Sequence, residues 1–127
     1  EGDLKNGFFM APTLFCGVDN SMRIAREEIF GPVGCVIPFR TLDDAVAIAN
    51  DSDFGLAAAV FTRDVGQAHE AARRLEAGQV YINDFMPIGV EAPFGGYKMS
   101  GIGREKGVES IWHYTQLKTV SLRTRRA

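Results

Sequence analysis

Glu27 and Glu28 place two carboxylates just ahead of the ring of Phe30 and a glycine–proline turn. Proline fixes its own φ and restrains the residue before it, and Gly31 can enter conformations that other residues avoid, so we expect a rigid turn. Such a turn can hold one carboxylate and one ring face in place, which suits a ligand with hydroxyl groups and a flat ring. The alternative is that the acids end a helix or face solvent while Ile29 and Phe30 fill a core.

The thiols and imidazoles indicate no second centre. Nucleophilic cysteines lie beside a helix N-terminus, a base or a cation, whereas Cys16 follows an apolar extended segment and Cys35 lies inside an apolar run. We therefore predict two free, structural thiols in a reducing compartment. His69 and His113 have no carboxylate or cysteine at metal-ligand spacing, so no metal site is predicted.

Length and composition indicate one soluble domain. The chain has 127 residues, of which 46% are hydrophobic and 24% charged, and its net charge is −2. This balance gives no reason to expect nucleic acid or a membrane surface as a partner, and no apolar run approaches the ~20 residues of a membrane span. We predict a cytoplasmic protein. Because the chain starts at Glu1 without a methionine, we also expect it to be part of a longer polypeptide.

Strands and helices that could position these residues alternate along the chain. Apolar runs predict three strands, at residues 33–39, 55–61 and 79–83. Thr41 is the expected N-cap of a first helix, and Asp64 caps a second, with Gln67 at the capping-box position and Gly78 as its stop. Apolar strands that alternate with amphipathic helices predict an α/β fold: an open, mostly parallel sheet with helices on its faces.

The remaining segments flank this unit. Residues 7–15, with an internal proline, predict an edge strand, and residues 19–26 form a connector with at most one helical turn and no chemistry of their own. A last helix is expected at 104–113 and a strand at 116–122. Since no element follows that strand, its edge should be covered or should pair with another chain.

The loop at residues 84–105 is the second candidate site. Ligands of open α/β sheets bind beyond the carboxyl ends of the strands, and a loop of this length inside a domain is more often functional than not. Its glycines at 95–103 imitate a dinucleotide fingerprint, but they follow a long loop instead of a strand, so a Rossmann site is rejected.

Residues 27–32 resemble the Glu-Glu-Ile-Phe-Gly-Pro signature of NAD(P)-dependent aldehyde dehydrogenases, and residues 93–105 resemble the Pro-Phe-Gly-Gly-x-Lys-x-Ser-Gly-x-Gly-Arg-Glu segment of that family. The resemblance implies that Glu28 accepts hydrogen bonds from the nicotinamide ribose and that Phe30 packs beside the nicotinamide ring. Ile88 and Phe94 would line the substrate tunnel, with plain core packing as the alternative. Glu105 would belong to a proton relay, or else be a first-turn helix acid.

In family terms, the enzyme oxidises an aldehyde to a carboxylic acid with NAD or NADP, through a cysteine thiohemiacetal and thioester. The nucleophilic cysteine, the general-base glutamate and the dinucleotide-binding half lie upstream in the family. The resemblance thus implies that residues 1–113 are the C-terminal part of a catalytic domain, that 114–127 are an oligomerisation strand and tail, and that the piece is inactive alone. Its partners would be the missing N-terminal part and further copies in a homodimer or homotetramer. The alternative is a non-catalytic module that pairs through its terminal strand.

Overall fold

The described part of the chain contains six short strands and three short α-helices. The computed structural model describes residues 4, 6–87 and 89–124. The strands are β1 (Thr13–Cys16), β2 (Val33–Val36), β3 (Phe54–Gly55), β4 (Ala57–Val60), β5 (Gln79–Ile82) and β6 (Tyr97–Lys98). The α-helices are α1 (Arg23–Arg26), α2 (Leu42–Asn50) and α3 (Val65–Arg74). A 3₁₀ helix, Val108–Tyr114, lies near the end.

The strands form three two-stranded ladders. β1 pairs in parallel with β2, β4 pairs in parallel with β5, and β3 pairs antiparallel with β6. The prediction of an α/β fold with parallel pairing is confirmed, but within the described residues the ladders do not join into one open sheet. The expected strand at 55–61 divides at Leu56, because the residues before it pair with β6 and the residues after it pair with β5.

A small core lies between α2, α3 and the β4–β5 ladder. Its buried apolar side chains are Val46 of α2, Ala68 and Ala71 of α3 and Tyr81 of β5; Val18, which follows β1, is also buried. The Tyr81 hydroxyl donates a hydrogen bond of 3.1 Å to the Gln79 side chain, which satisfies a buried polar pair. Many large apolar side chains remain exposed, among them Phe61 at 71% and Ile102 at 101%. This chain therefore carries apolar surface well beyond its own core.

Both predicted N-caps are confirmed. Thr41 accepts a hydrogen bond from the Asp44 backbone N–H, and the Asp44 carboxylate accepts one from the Thr41 N–H, which completes a capping box. Asp64 accepts a hydrogen bond of 3.0 Å from the backbone N–H of Gln67. The predicted stop of α3 at Gly78 is wrong, since α3 ends at Arg74 with the extended Leu75 as its C-cap.

Gly78 has a different structural role, which is to let two loops approach. Its N–H donates to the Gly55 carbonyl oxygen at 3.0 Å. A Cβ at this position would lie closer than 3.0 Å to the Gly95 carbonyl oxygen, a separation that real Cβ atoms do not show. The absence of a side chain at Gly78 therefore allows the loop before β6 to lie against the start of β5.

Replacing Thr41 by alanine should lower the free energy of unfolding by about 1 kcal/mol, because the Asp44 N–H loses its side-chain acceptor. Urea unfolding of the protein that carries this chain measures the change. Thr41→Ser keeps the accepting oxygen and is expected to stay close to the parent. Equal losses in both variants would show that the hydroxyl is not the stabilising group.

The end of the chain departs from the predicted helix and strand. The helix expected at 104–113 is the shorter 3₁₀ helix, which starts after Gly107. Residues 116–122 form no strand, because no described segment of this chain supplies a ladder partner. Leu117, Val120 and Leu122 are each more than 80% exposed. Within this chain the segment is an uncovered apolar stretch.

Candidate functional site

Glu28 lies on the wall of an open hollow of about 450 Å³, here called the Glu28 hollow. Its other lining residues include Arg26, Ser52, Leu56 and Ser100. Glu28 follows α1 by two residues and its side chain is exposed. A carboxylate in this position can accept hydrogen bonds from hydroxyl groups of a bound molecule.

Phe94 and Glu105 are brought together by an isolated antiparallel bridge. The N–H of each residue donates to the carbonyl oxygen of the other at 2.7 Å. Directly opposed residues of an antiparallel pair place their side chains on the same face, so the ring and the carboxylate are neighbours. Phe94 is half-buried, and the Lys106 ammonium lies 5.4 Å from its ring centroid. Ile88, the other predicted tunnel residue, lies outside the described residues.

Phe94 and Glu105 line a second hollow of about 740 Å³, here called the Phe94 hollow. Leu56 and Ser100 line both hollows, so the two adjoin across these side chains. His113 and Arg104 also line the Phe94 hollow, and the Arg104 guanidinium donates to the Gly96 carbonyl oxygen at 3.0 Å. Glu28 of the first motif therefore lies on the wall of a hollow that adjoins the one lined by Phe94 and Glu105 of the second.

The rigid turn differs from its predicted form at one residue. Phe30, not Gly31, has the positive φ, at 52°. This left-handed conformation is uncommon for a bulky side chain and is found where the surroundings or a function require it. The Phe30 ring is 90% exposed and lines neither hollow, so it does not fill a core of this chain.

The C-terminal end of α2 holds the two motifs in place; we call residues 48–52 the α2 hub. Lys98, from the second motif, donates to the carbonyl oxygens of Asn50 at 2.6 Å and Ser52 at 3.1 Å. Asn50 ends α2, so a cation beside its carbonyl oxygen is favourable at the negative end of the helix dipole. Lys98 also pairs with the Glu76 carboxylate at 2.7 Å.

Ser100 and Met99 extend this attachment. The Ser100 hydroxyl accepts a hydrogen bond of 3.0 Å from the Gly55 N–H, and the Met99 N–H donates to the Asp53 carbonyl oxygen at 2.9 Å. Lys98 and Ser100 of the second motif therefore have a structural role, which is to attach their loop to the α2 hub and to β3. Only the motif itself signals them in the sequence, because the hydrogen-bond partners of these two side chains lie more than forty residues away.

Arg26, the residue before the first motif, makes the corresponding link to the α2 hub, and sequence reasoning missed it. Its guanidinium donates to the Asp51 carbonyl oxygen at 2.7 Å, to the Asp51 carboxylate at 2.8 Å, and through Nε to the Asn20 carbonyl oxygen. The Asn20 amide donates to the same carboxylate at 3.0 Å. Hydrogen bonds from Asn20 and then from Arg26 lower the pKa of the Asp51 carboxyl. The segment predicted as a connector is therefore held by hydrogen bonds to the residue that follows α2.

The two cysteines are free. Cys16 is exposed, and Cys35 is half-buried with its thiol 3.6 Å from the Ile24 carbonyl oxygen. In residues 4, 6–87 and 89–124, no group of three or more His, Cys, Asp or Glu side chains is arranged to hold a metal ion. The helices of that part of the chain include none long and apolar enough to cross a membrane.

Relatives of known name match most of the chain. Betaine aldehyde dehydrogenase from Brucella melitensis is 54% identical over 114 residues, which are 90% of this chain and 23% of that protein. A crystal structure of Staphylococcus aureus betaine aldehyde dehydrogenase in complex with NAD⁺ is 52% identical, with a TM-score of 0.87, over 90% of this chain and 23% of that one. Indole-3-acetaldehyde dehydrogenase of P. syringae, in complex with NAD⁺, is also 52% identical, with a TM-score of 0.82, over 84% and 22%.

The chain therefore spans about a quarter of the length of the relatives it matches. The model of the aldehyde dehydrogenase family matches residues 1–120. With nearly the whole chain matched, and with both signature segments meeting at adjoining hollows, this chain belongs to the aldehyde dehydrogenase family.

Proposed function

We propose that this chain is the C-terminal part of an NAD-dependent aldehyde dehydrogenase. The complete enzyme oxidises an aldehyde to a carboxylic acid. A cysteine thiolate adds to the aldehyde carbon to give a thiohemiacetal, loss of hydride from that carbon leaves a thioester, and water then releases the acid. NAD, when bound, supplies the hydride acceptor. The nucleophilic cysteine, the general base and most of the dinucleotide site belong to the remaining polypeptide.

The observation that carries this proposal is the contiguity of the two hollows. Glu28 lies on one side of Leu56 and Ser100, and Phe94 with Glu105 lies on the other. Glu28 would accept hydrogen bonds from a cofactor ribose beside the Phe94 hollow, and an aldehyde could be held in that hollow against the Phe94 ring. The exposed Phe30 ring is available to pack beside the nicotinamide once the rest of the enzyme is present.

The remaining roles follow from the same arrangement. We propose that Phe94 lines the aldehyde tunnel, since its ring forms part of the Phe94 hollow. For Ile88 the same role rests on the family resemblance alone. Glu105 faces the same hollow as Phe94 and is exposed, so its carboxylate can exchange protons with water near the reacting carbon. Cys16 and Cys35 are assigned no chemical step, because one lies on an exposed strand end and the other contacts a backbone carbonyl.

NAD is favoured as the cofactor because the similar Staphylococcus aureus and P. syringae enzymes contain NAD⁺. Betaine aldehyde and indole-3-acetaldehyde are the first substrates to compare, since enzymes named for each share 52% identity with this chain. Overall identity therefore favours neither aldehyde.

The full-length protein tests the proposal directly. Purified protein is incubated with NAD and either betaine aldehyde or indole-3-acetaldehyde, and NADH absorbance and acid formation are measured together. We expect equal amounts of NADH and acid with at least one aldehyde, and no turnover by residues 1–127 alone. A full-length protein that reduces no NAD with either aldehyde or with a panel of simple aliphatic and aromatic aldehydes would contradict the assignment.

We also propose that residues 116–122 pair with a second copy of the enzyme, in a homodimer or homotetramer. Their exposed Leu117, Val120 and Leu122 need cover, and the segment has no ladder partner in the described part of this chain. Val120→Pro removes one backbone donor, so we expect a lower mass by size exclusion with light scattering. Val120→Thr keeps the donor and serves as the control. An unchanged mass for the proline variant would rule out pairing through this segment.

A further inference from the structure

Arg26 is joined to the Glu28 site without belonging to either family signature quoted above. It ends α1, and Glu28 follows it by two residues. Three of its N–H groups donate to Asn20 and Asp51. The two hydrogen bonds to Asp51 engage the backbone carbonyl and the carboxylate of one residue, so the guanidinium plane is held in one orientation.

The partners of Arg26 are themselves fixed. Asn20 donates to the Ile48 carbonyl oxygen at 2.9 Å, which ties the connector before α1 to the last turn of α2. On the other side of the α2 hub, Lys98 binds Asn50 and Ser52. A four-residue helix such as α1 has little stability of its own, so its position depends on such tertiary contacts.

Ser52, next to Asp51, lines the Glu28 hollow together with Arg26 and Glu28. Arg26 therefore lines the hollow and binds the residue next to Ser52, so its contacts with Asp51 join two segments of the hollow's wall. We propose that Arg26 is a positioning residue for Glu28: by binding Asp51 it fixes the exit of α1 and so holds the Glu28 carboxylate where it meets the cofactor ribose. This inference rests on the proposed function.

Arg26→Met in the full-length enzyme removes the guanidinium and keeps an unbranched apolar stem of similar length to that of arginine. We expect NAD to bind about 10-fold more weakly, because Glu28 is no longer held in its binding position. The KM for NAD should rise by a similar factor, and kcat at saturating NAD should stay close to the parent value. Arg26→Lys keeps a cation near Asp51 and should recover part of the affinity. Isothermal titration with NAD and steady-state kinetics measure these values.

Arg23→Met is the matched control. Arg23 lies in the same short helix and carries the same charge, but its side chain is 88% exposed and pairs with Glu27 only four residues away. Such exposed pairs contribute little, so NAD affinity should stay within about twofold of the parent value. A loss equal to that of Arg26→Met would show that any charge removed from α1 has the same effect, and would overturn the proposal.

A double-mutant cycle separates positioning from a direct contact. If Arg26 acts through Glu28, then Arg26→Met should lower NAD affinity in the parent and have no further effect in a Glu28→Ala background, where no acceptor is left to be positioned. Additive losses would overturn the proposal. Should Arg26→Met fail to fold, Asp51→Asn removes the negative charge that Arg26 pairs with, and a loss of NAD affinity that disappears in the Glu28→Ala background supports the same conclusion.

The two proposals fail differently. Full-length parent enzyme that binds no NAD would overturn the proposed function and this inference together. Parent enzyme that binds NAD, alongside a folded Arg26→Met variant that binds it equally well, would overturn the positioning role of Arg26 alone.

Discussion

Replacing Glu28 by glutamine in the full-length enzyme is expected to raise the KM for NAD about 10- to 100-fold, the usual value of a hydrogen bond to a charged group. Glutamine keeps the shape of the side chain but accepts the ribose hydroxyls through one neutral oxygen instead of a carboxylate. Because Glu28 is exposed on the wall of its hollow, the free energy of unfolding should hardly change. Steady-state kinetics at varied NAD and thermal unfolding measure the two effects separately.

Glu27→Gln provides the control for this experiment. The Glu27 carboxylate accepts a hydrogen bond from the Arg23 guanidinium at 2.7 Å, which lowers the pKa of Glu27. Glu27 thus already has a partner within α1. We expect NAD kinetics close to the parent in this variant. Equal changes at both positions would mean that general negative charge, and not a specific contact of Glu28, determines cofactor use.

Gly78→Ala is expected to cost about 3 kcal/mol or more of unfolding free energy, at the upper end of overpacking effects. The new methyl group would overlap the backbone carbonyl of Gly95, and a backbone atom cannot move aside as a flexible side chain can. Relief requires the loop before β6 to lift from β5, which also displaces the adjacent Phe94. Both stability and aldehyde turnover should therefore fall.

Gly31→Ala is the contrasting substitution. A Cβ at Gly31 would meet nothing closer than the Ile29 side chain at 3.9 Å, and Gly31 does not have a positive φ. Its unfolding free energy should stay within about 1 kcal/mol of the parent. Denaturant unfolding of both variants decides the matter, and a Gly78→Ala protein as stable as Gly31→Ala would show that the two loops do not approach as described.

Local signals in the sequence were sufficient for much of the fold. Thr41 and Asp64 were recognised as N-caps because a cap depends on residues three positions apart. The pairing of strands depends on distant partners, so one predicted strand proved to be two, separated at Leu56 and bound to different neighbours. Gly78 was misread as a helix stop because its true constraint, Gly95, is remote in sequence.

The candidate site shows the same difference between local sequence signals and contacts that distant residues make. Glu28 and Phe94, which line the two hollows, could be named from the two family motifs. The positive φ of Phe30 could not, since the glycine next to it was the expected residue for that conformation. Arg26 was overlooked because nothing near it in sequence indicates Asp51 as its partner. The link from motif to motif runs through the α2 hub, which no local pattern identifies.

The pairing of β3 with β6 has a consequence for how the protein is made. One short helix connects the two strands of the β1–β2 ladder, and another connects those of the β4–β5 ladder. Each ladder can form once its second strand has left the ribosome. β3 cannot pair with β6 until Lys98 has been synthesised. The hydrogen bonds of the Lys98 and Ser100 side chains form no earlier. During translation the two hollows are therefore completed late, when the nascent chain already contains its other ladders.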